Sequence, residues 1–428
     1  MLDRYRKRLT RDLDRWIEAG LVPAKNRDAI LNDVAPEPAR WSAQGAAAIL
    51  GAVLLGLAAI SFVAANWAEL SRAVRFSVIL AALWISYAGA WLAFARNNSA
   101  VGHALALLGA ALFGGAIALT AQTFNLSAFR NTGVLIWAIG ALVTAIAIPS
   151  RPVLILSAVV GAGWMISEAQ NPVAPAVVWS YPILFAATAA AASRMNSNVT
   201  MNILALGLGW WLAHTLYEGL GDLDGAAGAA SFALVSGALA LASAALRDRD
   251  IAGAGVIAAW ATAGASAGAF ALQLGLDARE PTLQPIYALI AGPALIAALI
   301  LVAVQARTRS LPAWAAGALA ASALITFTLP YGQVALGDGF SGALQLSLGA
   351  AVFAAGAALI LIGSSPGRRT AGLVGVVLFT AQAIYVYAEL FGGLLGTAAF
   401  FFVGGILMIA LSVGLTRIAH RLGQGGPS

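Results

Sequence analysis

The chain of 428 residues is 61% hydrophobic and only 10% charged, with a mean hydropathy of +0.86. A soluble domain carries about 45–50% apolar and about 25% charged residues, so that class is excluded. The absence of cysteine and the presence of only three histidines exclude thiol catalysis, disulfide scaffolds, iron–sulfur clusters and Cys-based zinc sites, and the net charge of +6 has to be read against a membrane before nucleic acid is considered.

In chain order, residues 1–43 come first and are polar. Leu2, Tyr5, Leu9, Leu13 and Trp16 recur at spacings of three and four, which predicts an amphipathic helix. Gly20 is a natural stop, Pro23 suits the first turn of a second helix, and Ile30, Leu31 and Val34 give that helix an apolar side. The expectation is a cytoplasmic helical hairpin. Its nine basic residues are interleaved with seven acidic ones, which favours a protein partner or docking onto the bundle over a polybasic lipid-binding or nucleic-acid-binding segment. More than 40 residues precede the first apolar run, too many for the charged region of a cleaved signal peptide, so that run reads as a retained anchor.

A spanning helix needs roughly 20 mostly apolar residues. Fourteen runs qualify: 44–65, 73–95, 101–121, 131–149, 153–169, 177–193, 199–217, 228–246, 251–276, 284–306, 311–329, 342–363, 370–389 and 392–415. The predicted fold is therefore all-α: a polytopic bundle over 44–415, the hairpin before it and a basic cytoplasmic tail over 416–428. Lys and Arg test the count, since they collect on cytoplasmic loops. Twenty fall on one side of this threading and four (Arg72, Arg75, Arg130, Arg279) on the other. Both termini are thus expected in the cytoplasm.

Small residues such as Gly264 and Gly268 permit close backbone approach in such a bundle. Gly292-Pro293 could break or kink its helix. No Lys, Arg, Asp or Glu stands at the centre of a predicted span, which weighs against a proton pump or an ion-coupled carrier. Polar residues gather instead at the outer helix ends: Asn66, Gln122, Glu168, the stripe His214, Tyr217 and Glu218, and the stripe Gln382, Tyr385 and Glu389. A carboxylate in apolar surroundings is costly without a partner, so these nine are the candidate substrate-binding residues, with structural hydrogen bonding as the competing reading. If they form a site, they converge on one outward-facing pocket. His103 and His420 lack ligand-spaced partners, so no metal is expected, and no nucleotide-binding or nucleophile-elbow motif calls for a cofactor.

Trp16 with Gly20-Leu21-Val22, the Phe62 to Trp67 helix end, Gly114-Gly115 through Gln122 to Asn125, and Trp137 resemble the bacterial membrane-protein family called domain of unknown function 2157, over roughly residues 1–150. Phe400 to Gly405, followed by basic residues, is similar to the ends of such proteins. The resemblance implies a multi-pass inner-membrane protein with a small cytoplasmic hairpin, and it supplies no activity. Many helices and few extramembrane residues suit a carrier or flippase for a lipid-like or envelope-precursor substrate. A membrane sensor or scaffold, and an outer-leaflet enzyme using a Glu/His cluster, are the alternatives. Membrane lipids are the expected neighbours, with a protein partner at residues 1–43 and no nucleic acid.

Overall fold

The computed structural model describes residues 2–33, 71–123, 131–219, 225–275, 285–336, 341–365 and 368–390, with isolated helical residues between 47 and 61. Every regular element among them is helical, and two compact units divide the chain after residue 126. The expected spans 44–65 and 392–415 and the tail 416–428 lie largely or wholly outside the described residues.

The first unit holds α1 (Leu2–Glu18), α2 (Arg27–Asp33), α3 (Arg72–Ala95) and α4 (Ser99–Thr123). Gly20, at φ +71°, ends α1: the Leu21 amide donates back to the Trp16 carbonyl at 2.9 Å, the closure that a left-handed residue permits. Pro23 opens the 3₁₀ turn that leads into α2, and Arg27 donates to Asp14 across the turn at 2.8 Å. Leu13 is buried on the apolar stripe of α1. In the apolar pair α3 and α4, glycines let aromatic rings lie flat against the opposing helix. A Cβ on Gly102 would meet the Phe94 ring at 2.7 Å, and one on Gly109 would meet Tyr87 at 2.9 Å.

The second unit runs α5 (Thr132–Ala147), α6 (Arg151–Ala169), α7 (Ser180–Arg194), α8 (Asn198–His214), a π-helical turn (Thr215–Gly219), α9 (Gly225–Arg247), α10 (Ala254–Gly275), α11 (Pro285–Arg307), α12 (Ala313–Leu336), α13 (Ser341–Gly363) and α14 (Arg369–Leu390). Among the described residues of both units, ten helices are long and apolar enough to cross a membrane; α5 is apolar but shorter, at 16 residues, and α7 has 15. Helix α11 runs on through Pro293 without a break. Ser and Thr hydroxyls are tolerated because they donate to the carbonyl one turn back, as Thr262 does to Ala258 at 2.7 Å and Ser266 to Thr262 at 2.8 Å.

Two features set the packing. Small residues bring backbones together: a Cβ on Gly268 of α10 would stand 2.8 Å from the Ala233 backbone of α9, and one on Gly375 of α14 would stand 2.7 Å from the Ile360 backbone of α13. Short turns join successive helices. Asn97 in the first unit, and Asn196, Asp250 and Arg309 in the second, take the left-handed conformation just past helix ends that carry Arg. Ser197 donates to Ala192 and Ile251 to Leu246, the six-to-one closure that lets a helix reverse within a few residues.

Candidate functional site

Six of the nine sequence-derived residues have described side chains, and these sit in three local arrangements. Asn66 lies outside the described residues, while Gln122 and Glu389 occupy the last turns of α4 and α14 with their side chains outside the description. Glu168, at the end of α6, is 1% exposed. Its carboxylate accepts the Asn131 amide at 3.0 Å and so stands at the N-terminus of α5, where unsatisfied N–H groups and the helix dipole favour negative charge. His214 faces Glu218 at 3.1 Å across the junction of α8 with the π turn. Trp210 stacks on the imidazole at 5.3 Å, and the Glu218 side chain is 75% exposed. Tyr217 beside it is exposed as well.

The third arrangement joins α14 to α10. Gln382 is fully buried, and its Oε1 accepts from Gln273 Nε2 at 2.6 Å while its own Nε2 donates to Gln273 Oε1 at 3.4 Å. Each amide thereby satisfies the other in apolar surroundings. Gly349 of α13 leaves room for the pair, since a Cβ there would meet Gln382 Nε2 at 3.2 Å. Tyr385, one turn on, packs edge-to-face against Phe270.

Sequence reasoning missed a partly open cavity of ≈ 190 Å³ between α9 and α14. None of the described candidate residues lines it. On α9 its wall is Ala233, Gly237, Ala240, Ala244 and Arg247, at spacings of four, three, four and three, and on α10 it runs from Gly255 through Thr262 and Ser266 to Ala269. From Ala233 to Arg247 it extends roughly 20 Å along the helix axis, more than half of a hydrocarbon core of about 30 Å. Leu299, Leu319, Leu359 and Leu378 fill out the wall. Ser322 donates to Ala318 and to Ala351 of α13, so that this hydroxyl, like those of Thr262 and Ser266, is spent within the helices. Gln305, which donates to the Leu241 carbonyl, and Thr326 also line it, so the wall is mostly apolar.

One end of the cavity differs. Arg247 at the α9–α10 turn and Arg368 and Thr370 at the α13–α14 turn line it there. Asp248 bridges the two arginines, accepting from Arg247 Nη2 at 2.9 Å and from Arg368 Nη2 at 3.0 Å, while Arg368 Nη1 donates to the Ser310 carbonyl at 2.8 Å. Burial draws the Arg368 guanidinium below its ordinary range; Asp248 opposes that shift and Arg247 adds to it. At the opposite end, Gln273 and Gln382 lie one turn beyond the lining residues Ala269 and Leu378, so the amide pair closes the gap between α10 and α14 above the cavity.

Most of the first unit and the start of the second match a family model. Residues 14–154 match the model of DUF2157, a family described as predicted membrane protein. That match takes in the Trp16, Gly20 and Trp137 elements on which the resemblance rests. No curated protein and no solved structure matches the chain. The DUF2157 segment ends early in α6 and includes none of the helices around the cavity. A signal for the cavity was nevertheless present in the sequence, in the small-residue stripes of α9 and α10 that end at Arg247 and begin at Gly255. The arginines at these turns served only as topology markers, and Gln273 gave no pattern of its own.

Proposed function

We propose that this membrane protein is a carrier or flippase for a lipid-like amphiphile, and that the cavity between α9 and α14 receives the apolar part of the substrate. The carrying observation is a long cavity with small, mostly apolar walls and charged donors at one end. A wall of mostly apolar side chains, with the hydroxyls of Thr262, Ser266 and Ser322 bonded to their own helices, offers little to a sugar or an ion, but it suits an alkyl chain, each buried CH₂ contributing about 0.8 kcal/mol. A carrier of this kind needs no midplane charge, in keeping with the absence of Asp, Glu, Lys and Arg from the predicted span centres.

The same proposal places the chain in a bacterial inner membrane with fourteen spans and both termini in the cytoplasm, on the strength of the 20-to-4 distribution of Lys and Arg. Arg247 and Arg368 then stand at the cytoplasmic leaflet, and residues 1–43 form a cytoplasmic segment open to a protein partner.

The test is lipid translocation by the full chain in proteoliposomes, read by reduction of a fluorescent NBD-labelled lipid from outside the vesicle. The protein is expected to speed transbilayer movement over empty vesicles, and Ala265→Phe with Ala355→Phe, which fill the cavity, to abolish the gain. Movement equal to that of empty vesicles, or unaffected by the filling variants, overturns the carrier reading.

A further inference from the structure

A chain-binding cavity leaves the chemistry of the headgroup open, and the residues at its polar end bear on that. Arg247 and Arg368 belong to different turns, far apart in sequence, yet one carboxylate holds both guanidiniums at the cavity end. Two positive charges share one negative charge. The arginine side chains are 25% and 14% exposed, so water compensates the second cation poorly. Among the described residues, Nη1 of Arg247 and Nε of Arg368 have no hydrogen-bond partner, so donors remain available on both planar groups. The surroundings add to the imbalance. The turns at 247–250, 307–310 and 368–369 carry Arg247, Arg249, Arg307, Arg309, Arg368 and Arg369 against Asp248 and Asp250, six positive charges less two negative, or +4.

We infer that the occupant of this cavity is an anionic, phosphate-bearing lipid, its chain lying along α9 and α10 and its phosphate oxygens accepting from Arg247 and Arg368. The inference rests on the carrier reading of the cavity and adds the headgroup class to it. Guanidinium suits the task because its planar set of donors can be held by Asp248 and Ser310 and still present a further N–H to a phosphate oxygen in a fixed direction, which the point charge of an ammonium does not do. Asp248 sets the geometry: it holds the two forks at a fixed separation and leaves the net charge at +1, enough to prefer one phosphate without trapping it. A zwitterionic headgroup would bring its own cation to this end and lose most of the attraction. A neutral one would leave the donors unpaired. The chain and the headgroup are thus recognised by different parts of one cavity, so they can be tested separately.

The experiment is native mass spectrometry of the full chain in detergent, titrated with phosphatidylglycerol and with phosphatidylethanolamine of the same acyl chains. Phosphatidylglycerol is expected to bind about tenfold more tightly, and the preference to shrink as ionic strength rises. Arg247→Gln with Arg368→Gln should erase the preference while leaving chain-dependent binding in place; Arg247→Lys with Arg368→Lys should keep only part of it, and the salt series on the unaltered chain serves if either variant fails to fold. Ala265→Phe with Ala355→Phe should remove binding of both lipids. Inorganic phosphate at millimolar concentration should not displace the lipid, and displacement would overturn the lipid assignment in favour of a free-anion site. Equal binding of the two lipids by the unaltered chain, with the filling variants still removing both, overturns the headgroup inference and leaves the cavity reading standing. Binding that the filling variants do not touch overturns the cavity reading itself.

Discussion

Gln273 and Gln382, 109 positions apart, form a reciprocal amide pair in which one hydrogen bond is 2.6 Å and the other 3.4 Å. Both side chains are almost wholly buried, and each lies one turn beyond a cavity-lining residue of its own helix. The pair joins α10 to α14 at the level where the cavity stops. Such a contact suits a seal that can part and re-form, because each amide can take up water or a substrate oxygen when separated.

Loss of one amide should therefore cost more than loss of both. Gln382→Leu leaves the Gln273 amide buried and unpaired, and a destabilisation of about 1–2 kcal/mol is expected. The double substitution Gln273→Leu with Gln382→Leu should recover most of that loss. Thermal unfolding of the purified protein in one detergent, read as a double-mutant cycle, checks the coupling.

Glu168 should behave as a capping group for α5. Replacement by Ala removes the acceptor of the Asn131 amide together with the charge at the helix N-terminus, for a loss of about 1–2 kcal/mol. Glu168→Gln keeps an acceptor and should cost less than half as much. Hydrogen exchange across residues 131–135 reports the fraying directly: protection should fall strongly in Glu168→Ala and only slightly in Glu168→Gln.

Glycines in this bundle are predicted to divide by contact and not by propensity. Gly375→Ala drives a methyl group against the α13 backbone and should cost about 1–3 kcal/mol by forcing α13 and α14 apart. Gly317 of α12 has nothing within 4 Å of a built Cβ, so Gly317→Ala should be neutral or stabilise by about 0.5–1 kcal/mol. Melting temperatures of the two variants against the parent decide the point.

The threading can be checked without altering the background, because the chain has no cysteine. Single cysteines at Arg249 and Arg309 are expected to resist a membrane-impermeant maleimide added to intact cells, and cysteines at Asp222 and Asp338 to react. Reversal at all four sites, with a single cysteine at Arg96 still resisting the reagent, would place the error between α4 and α8, where α5 and α7 are short.

What the sequence determined by itself is the set of elements. Twelve of the expected spans, from 73–95 to 370–389, each overlap a described helix, α3 to α14, ten of these long and apolar enough to cross a membrane, because a segment's hydropathy and the cost of burying its backbone polar groups in lipid are properties of that segment alone. Gly20 and Pro23 were legible as a stop and a start for the same local reason. The polar helix ends were legible as places where partners are needed, since an unpaired Glu168 or Gln382 in apolar surroundings is too costly to persist. Which partner each one takes was decided by tertiary structure: Asn131 for Glu168 and Gln273 for Gln382. The cavity belongs wholly to that second level. Small-residue stripes on α9 and α10 read equally well as surfaces for tight packing, and at Gly268 against Ala233 they do pack tightly. Only the crossing of six helices leaves one part of those stripes without an opposing side chain, and only that crossing brings Arg247, Asp248 and Arg368 to a common end, because the space between helices depends on every helix around it and is encoded in none of them singly.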